Sequence, residues 1–213
     1  MHEPEKIKNL LLDLGGVFYD LDFQKAVNAF EAIGIRNFNE VYAHAHQTPL
    51  FDLFERGEIT TETFRNEIRR MAARDIPSAL IDEAWNALLI GFPLHRMELI
   101  EKLSQKYNLY LLSNTNELHL SAVVRQLESS FGLKRFEKPF KKLYYSSRMG
   151  RKKPDAGCFE FVFSDAGISK SDTLFIDDTV RHVEGARQCG VNAIHLDLLK
   201  EDVHRLIARL RLI

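Results

Sequence analysis

The sequence predicts an α/β protein in which a parallel sheet, flanked by helices, is interrupted after its first strand by an all-helical insertion. Three observations carry that expectation. After Pro93, short apolar runs alternate with amphipathic stretches, the pattern of βαβ units around a parallel sheet. An isolated apolar run at residues 7–13 reads as one more strand of the same sheet. Between them, residues 22–91 show helical periodicity and no strand pattern.

The first strand, Ile-Lys-Asn-Leu-Leu-Leu-Asp, stops on Asp13 and passes into Gly15-Gly16, as a buried strand bounded by turn residues does. A buried unpaired carboxylate is costly. Asp13 is therefore placed at the carboxyl end of the strand, where open α/β sheets hold ligands. In the insertion, Phe23/Val27/Phe30, Phe64/Ile68/Met71 and Ile81/Trp85/Leu88 each form an i, i+4, i+7 stripe. Gly57 and Pro77 punctuate these helices, one of which spans 60–73. The alternating region then gives strands at 108–114, 143–146, 173–177 and 191–196. Helices are expected at 117–129 and 158–166, another ends near Cys189, and a last one is striped by Val203, Leu206, Ile207 and Leu210.

Bulk properties exclude several function classes. With 213 residues, 45% hydrophobic and 28% charged, the chain has an ordinary globular composition and can bury a substantial core. A net charge of −1 gives no footprint for nucleic acid or a membrane surface, and Arg151-Lys152-Lys153 is too short a run to change that. There is no signal segment or bilayer-spanning run, so a cytoplasmic location is expected. Cys158 and Cys189 read as helix packing residues, and no His/Cys spacing resembles a zinc site. Ser113 has no partnered histidine, which removes a serine hydrolase.

Three expected strands end in polar clusters: Asp13, Ser113-Asn114-Thr115-Asn116 and Asp177-Asp178. Parallel strands bring their carboxyl ends to one edge, so the clusters share a crevice. Carboxylates converging there repel one another unless a cation offsets them, and hard oxygen donors suit Mg²⁺. Lys153, stiffened by Pro154, is placed to offset both a carboxylate and a phosphoryl group. Taken singly, each cluster has a plain structural reading as a helix cap, turn or solvated loop.

Asp13-Leu14-Gly15-Gly16-Val17, Ser113-Asn114, Lys153-Pro154 and Asp177-Asp178 resemble, in order and spacing, the four motifs of the haloacid dehalogenase-like hydrolases. The likeness spans the whole chain and is closest to phosphatases with a helical cap, including sugar-phosphate phosphatases that open with Asp-Leu-Gly. It implies a Rossmann-like core at 1–19 and 93–213 and a cap at 20–92. It also implies that Asp13 is the nucleophile, forming an aspartyl-phosphate with Lys153 as the second catalytic residue. Ser113, Asn114 and Lys153 would bind phosphate. Mg²⁺ would be held by Asp13, the Gly15 carbonyl and Asp178, with Asp177 assisting directly or through water.

The resemblance also exposes a departure. Most phosphatases of the family carry an acid–base aspartate two residues after the nucleophile, and here that residue is Gly15. Either the leaving group has a low pKa, as in a hexose 1-phosphate, or another group reaches in. Asp20 and Asp22 are the nearest candidates, with turn and helix N-cap roles as their alternatives. In the cap, His44, His46, Phe51, Phe54, Glu55 and Arg56 lie near a helix junction. Glu55 and Arg56 are candidates for binding sugar hydroxyls, whereas Phe51 and Phe54 read rather as cap core and the histidines as surface or packing residues. The expected function is thus a Mg²⁺-dependent phosphomonoester hydrolase of a small phosphorylated metabolite, acting as a monomer or homodimer. Its rivals are a 2-haloacid dehalogenase, a phosphomutase and a catalytically silent binding or regulatory protein on the same fold.

Overall fold

The computed structural model describes residues 6–35, 38 and 49–213. The chain opens with β1 (Asn9–Leu12) and β2 (Asp20–Leu21), followed among the described residues by α1 (Phe23–Ala32), α2 (Pro49–Glu55), α3 (Thr61–Ala72) and α4 (Ser78–Asn86). It returns through β3 (Leu89–Gly91), α5 (Leu94–Leu103), β4 (Asn108–Ser113), α6 (Glu117–Phe131) and α7 (Leu133–Glu137). The remainder comprises β5 (Phe140–Tyr145), α8 (Ser146–Met149), α9 (Ala156–Ala166), β6 (Thr173–Asp177), α10 (Val180–Gln188), β7 (Asn192–His195) and α11 (Val203–Arg209).

Five of the strands make one parallel sheet in the order β5-β4-β1-β6-β7. The buried strand β1 is central, with Leu12 in register with Leu111 on one side and Ile176 on the other. Side chains alternate across the sheet. Leu10 and Leu12 pack with Met97, Ile100, Leu127, Leu206 and Ile207 of α5, α6 and α11. Leu11 faces the opposite layer, against Phe159, Val162 and Val183 of α9 and α10.

The helices between β2 and β3 have a core of their own, including Phe30, Phe51, Phe54, Phe64, Ile68 and Trp85. Phe54 stacks on Phe64 with centroids 4.4 Å apart, and Phe51 on Trp85 at 5.3 Å. Phe51, Phe54 and Trp85 are therefore packing residues. This core is keyed to α6: the Trp85 indole donates to Asn116 Oδ1 (3.2 Å) and stacks on His119, whose centroid is 4.6 Å away.

Two departures from the sequence expectation have simple causes. β2 and β3 pair as an antiparallel ribbon, so a strand does enter the stretch expected to be purely helical. Elements of two and three residues are too short to display a period-two pattern. β5 begins at Phe140 rather than 143, because exposed Lys141 and Lys142 on this edge strand mask its start.

Candidate active site

The register of the sheet sets the site. Asp13 follows β1, Ser113 ends β4, Asp177 ends β6 with Asp178 next, and all four lie at the carboxyl edge of neighbouring strands. Asp13, Ser113 and Asp177 are buried, with Asp177 inaccessible to solvent. Carboxylate oxygens of Asp13, Asp177 and Asp178 lie within 4.8 Å of one another.

Lys153 enters from the loop between α8 and α9, and its side chain is fully buried. Its ammonium donates to Asp177 Oδ2 at 2.6 Å and Leu112 O at 2.8 Å, and pairs with Asp13 Oδ1 at 2.8 Å. Three acceptors match the three protons of the ammonium. Asn114 fixes the backbone of the same residue, accepting from Lys153 N and donating to Lys153 O, both at 2.9 Å. Buried Ser146 anchors the adjoining residue, accepting from Thr115 N (2.8 Å) and donating to Thr115 O (2.9 Å).

The acidic residues differ in their surroundings. Asp177 accepts from Lys153, from Thr179 N at 2.8 Å and from His182 Nδ1 at 3.1 Å. Lys153 and His182 hold its carboxyl well below the usual range despite burial. Asp13 goes the other way: burial, with Asp177 and Asp178 adding repulsion against the opposing pull of Lys153, pushes it up to about 8. Asp178, raised to about 6 by burial and then by Asp177, receives only a 3.4 Å contact from the Thr179 hydroxyl among its side-chain hydrogen bonds. The cluster thus retains negative charge that Lys153 does not offset. Hard oxygens around such a deficit fit a small divalent cation, and the carboxylates of Asp13, Asp177 and Asp178 lie close enough together to hold one. Asp177, occupied by its three donors, is matched to holding Lys153.

Gly16 makes this approach feasible. Its φ is +74°, and a Cβ there would stand 2.0 Å from Asp178 Oδ2. Gly16→Ala is expected to displace Asp178, weaken Mg²⁺ binding at least about tenfold, and cost about 1–2 kcal/mol in backbone strain. Calorimetric titration and thermal melts check this, and an unchanged Mg²⁺ affinity would contradict the assigned role of Asp178.

A cavity open to solvent is lined by Leu14, Gly15, Ser113, Asn114 and Thr115, together with Tyr19, Leu21, Phe23, Leu88 and Val123. A Cβ on Gly15 would meet Leu21 Cδ1 at 2.8 Å, so Leu21 crowds the space of an acid–base side chain. Asp20 pairs with Arg96 at 2.7 Å, and Asp22 caps α1 through Gln24 N and Lys25 N. Neither lines the cavity.

Glu55 does line it, whereas Arg56 does not, being tied to Asp52 (2.8 Å) and Asp155 (2.6 Å) instead. His44 and His46 lie outside the described residues. Sequence reasoning did not single out His182 or Ser146. His182 had a readable signal, since it lies five residues after Asp177 and within the first turn of the following helix, on the side of the strand end.

The sequence pattern of haloacid dehalogenase-like hydrolases matches residues 7–190. A D-ribitol-5-phosphate phosphatase from Bacteroides thetaiotaomicron is 32% identical over 184 residues, covering 86% of this chain and 89% of that protein. A HAD-family enzyme from Bacteroides thetaiotaomicron, solved as the wild-type protein with magnesium and inorganic phosphate, is 36% identical with a TM-score of 0.84, covering 94% of this chain and 98% of that one. A HAD-like hydrolase structure from Porphyromonas gingivalis is 31% identical, with a TM-score of 0.86 over 97% of this chain and 98% of that one.

Proposed function

The chain belongs to the haloacid dehalogenase-like hydrolases, and from that premise we propose that it is a Mg²⁺-dependent phosphomonoester hydrolase acting on a small polyol or sugar phosphate. The observation that supports this most is Lys153, locked between Asp13 and Asp177 beside an acidic cluster whose charge it only partly offsets.

In this reading a carboxylate oxygen of Asp13 attacks phosphorus in line. One P–O bond forms to Asp13 while the ester P–O bond breaks, and the departing alcohol oxygen takes up a proton from solvent water. Water then cleaves the aspartyl-phosphate, restoring the carboxylate and releasing inorganic phosphate. Lys153 holds the orientation of Asp13 and offsets charge on the transferring group, and Ser113 with the Asn114 backbone receives the phosphoryl oxygens. Mg²⁺, held by Asp13, Asp178 and the Gly15 carbonyl, would supply the remaining charge stabilisation. With Leu21 rather than a carboxyl group beside Gly15, a leaving oxygen of low pKa makes the least demand on the site, as in a hexose 1-phosphate. Residues 20–92 act as the cap, and Glu55 is its contact with substrate hydroxyls.

Metal removal provides the test. Phosphate release from a panel of polyol and sugar phosphates is expected to fall at least about 100-fold in excess chelator and to return on adding Mg²⁺. Metal-independent halide release from 2-haloacids would replace this reading with a dehalogenase. Mg²⁺ binding with silence across the panel would replace it with a binding protein.

A further inference from the structure

The described walls of the cavity beside Gly15 lack the side-chain cations that a site for doubly anionic metabolites requires. Among the described residues that line it, none is a lysine or arginine. His119 is the sole imidazole among them; burial pulls it down to about 4, and its ring nitrogens are engaged with Asn116 and the Trp85 carbonyl. Glu55 is the sole carboxyl group among them. Lys152, 3% exposed, lies behind Glu55 and contacts Glu55 Oε2 at 2.6 Å, but it also contacts Asp52 Oδ1 at 3.0 Å. Arg56 joins the group through Asp52 and Asp155. Among the described residues this group sets two cations (Lys152, Arg56) against three carboxylates (Asp52, Glu55, Asp155), an excess of one negative charge, and Glu55 is the carboxylate of the three that lines the cavity.

From this charge arrangement we infer that Glu55 is a specificity-determining residue that restricts the enzyme to monophosphates with an uncharged, hydroxyl-bearing leaving group and rejects those carrying a second anion. The inference rests on the phosphatase reading and adds the substrate class. A carboxylate anchored by Lys152 accepts hydrogen bonds from hydroxyl groups without reorganising. The same carboxylate repels a substrate carboxylate or second phosphate in a partly desolvated cavity, where like charges interact far more strongly than in water. No described cation of the cavity wall offsets that repulsion.

The probes are sn-glycerol 3-phosphate and 3-phosphoglycerate, which match in carbon count and differ in one terminal carboxylate. Wild-type kcat/KM is expected to favour the glycerol ester at least about tenfold. Glu55→Gln keeps the shape and removes the charge. It is expected to narrow the ratio about tenfold, chiefly through a lower KM for the acidic ester, and the narrowing should shrink in high salt. Because discrimination is also read in the wild-type enzyme, the inference stays testable even if the variant folds poorly. Equal wild-type rates on both esters, or a ratio unmoved by Glu55→Gln, overturns the inference while leaving the phosphatase reading intact. Wild-type protein that releases phosphate from neither ester, nor from any polyol or sugar phosphate of the panel, overturns both.

Discussion

Asp13→Asn is expected to lower kcat by about 10⁴-fold or more while leaving the protein folded and able to bind phosphate. The amide is nearly isosteric and its oxygen still accepts from Lys153, so the packing around the strand end persists. What disappears is the oxygen nucleophile that the proposed mechanism assigns to Asp13. Stability should respond in a pH-dependent way. With no divalent cation, the folded-state pKa of Asp13 is about 8 because burial outweighs Lys153, against about 3.9 in an unfolded chain. A raised carboxyl pKa means that the folded state binds the extra proton. The stability contributed by Asp13 is therefore full below pH 4 and declines as the pH rises towards 8. The variant lacks that titration, so in chelator its melting temperature should gain on the wild type between pH 5 and pH 8. Residual turnover above a few per cent would remove Asp13 as nucleophile, and a flat melting-temperature difference would mean that the buried charge is offset by some other group.

Much of this site was legible because its residues sit where chain geometry reports them. Asp13, Ser113 and Asp177 each terminate an apolar run, and parallel topology turns three separate run ends into one edge. The burial of Lys153 was not legible, since a basic tripeptide reads the same whether solvated or enclosed. The structure divides that tripeptide: Lys153 faces the strand ends and Lys152 faces α2. Arg56 could not be separated from Glu55 by sequence, because adjacent positions at a helix end differ in direction by about 100°. Only the fold shows one on the cavity and the other tied to Asp155. The β2–β3 ribbon was hidden by its brevity, and Trp85, correctly placed in a core stripe, also carries a hydrogen bond to Asn116 that periodicity does not reveal. Local pattern therefore locates strand ends well; of the partners that reach them, it places Lys153 beside the carboxylates without revealing its burial, and it does not single out His182 or Ser146.

Lys153→Met should have the larger effect on the fold itself. Its ammonium is the shared partner of two buried carboxylates, and methionine fills the volume without the charge. Breaking a buried pair from one side leaves uncompensated charge and costs about 3–5 kcal/mol. For a protein of this size that corresponds to a fall in melting temperature of roughly 6–20 °C. Activity should be lost as well, since Asp13 then has neither its orientation nor its charge partner. Lys153→Arg should not rescue either property: a planar guanidinium cannot present three donors to Asp13, Asp177 and the Leu112 carbonyl from the position of one nitrogen. The decisive variant is the double substitution Lys153→Met/Asp177→Asn. If instability arises from unpaired carboxylates, removing Asp177's charge should restore about 1–3 kcal/mol, a non-additive recovery that coupled sites show. Catalysis should not return, because the cation beside Asp13 is still missing. Recovery of stability without activity would divide the roles of Lys153 into a structural one through Asp177 and a chemical one through Asp13. If the two substitutions simply add, the buried pair does not hold the site together.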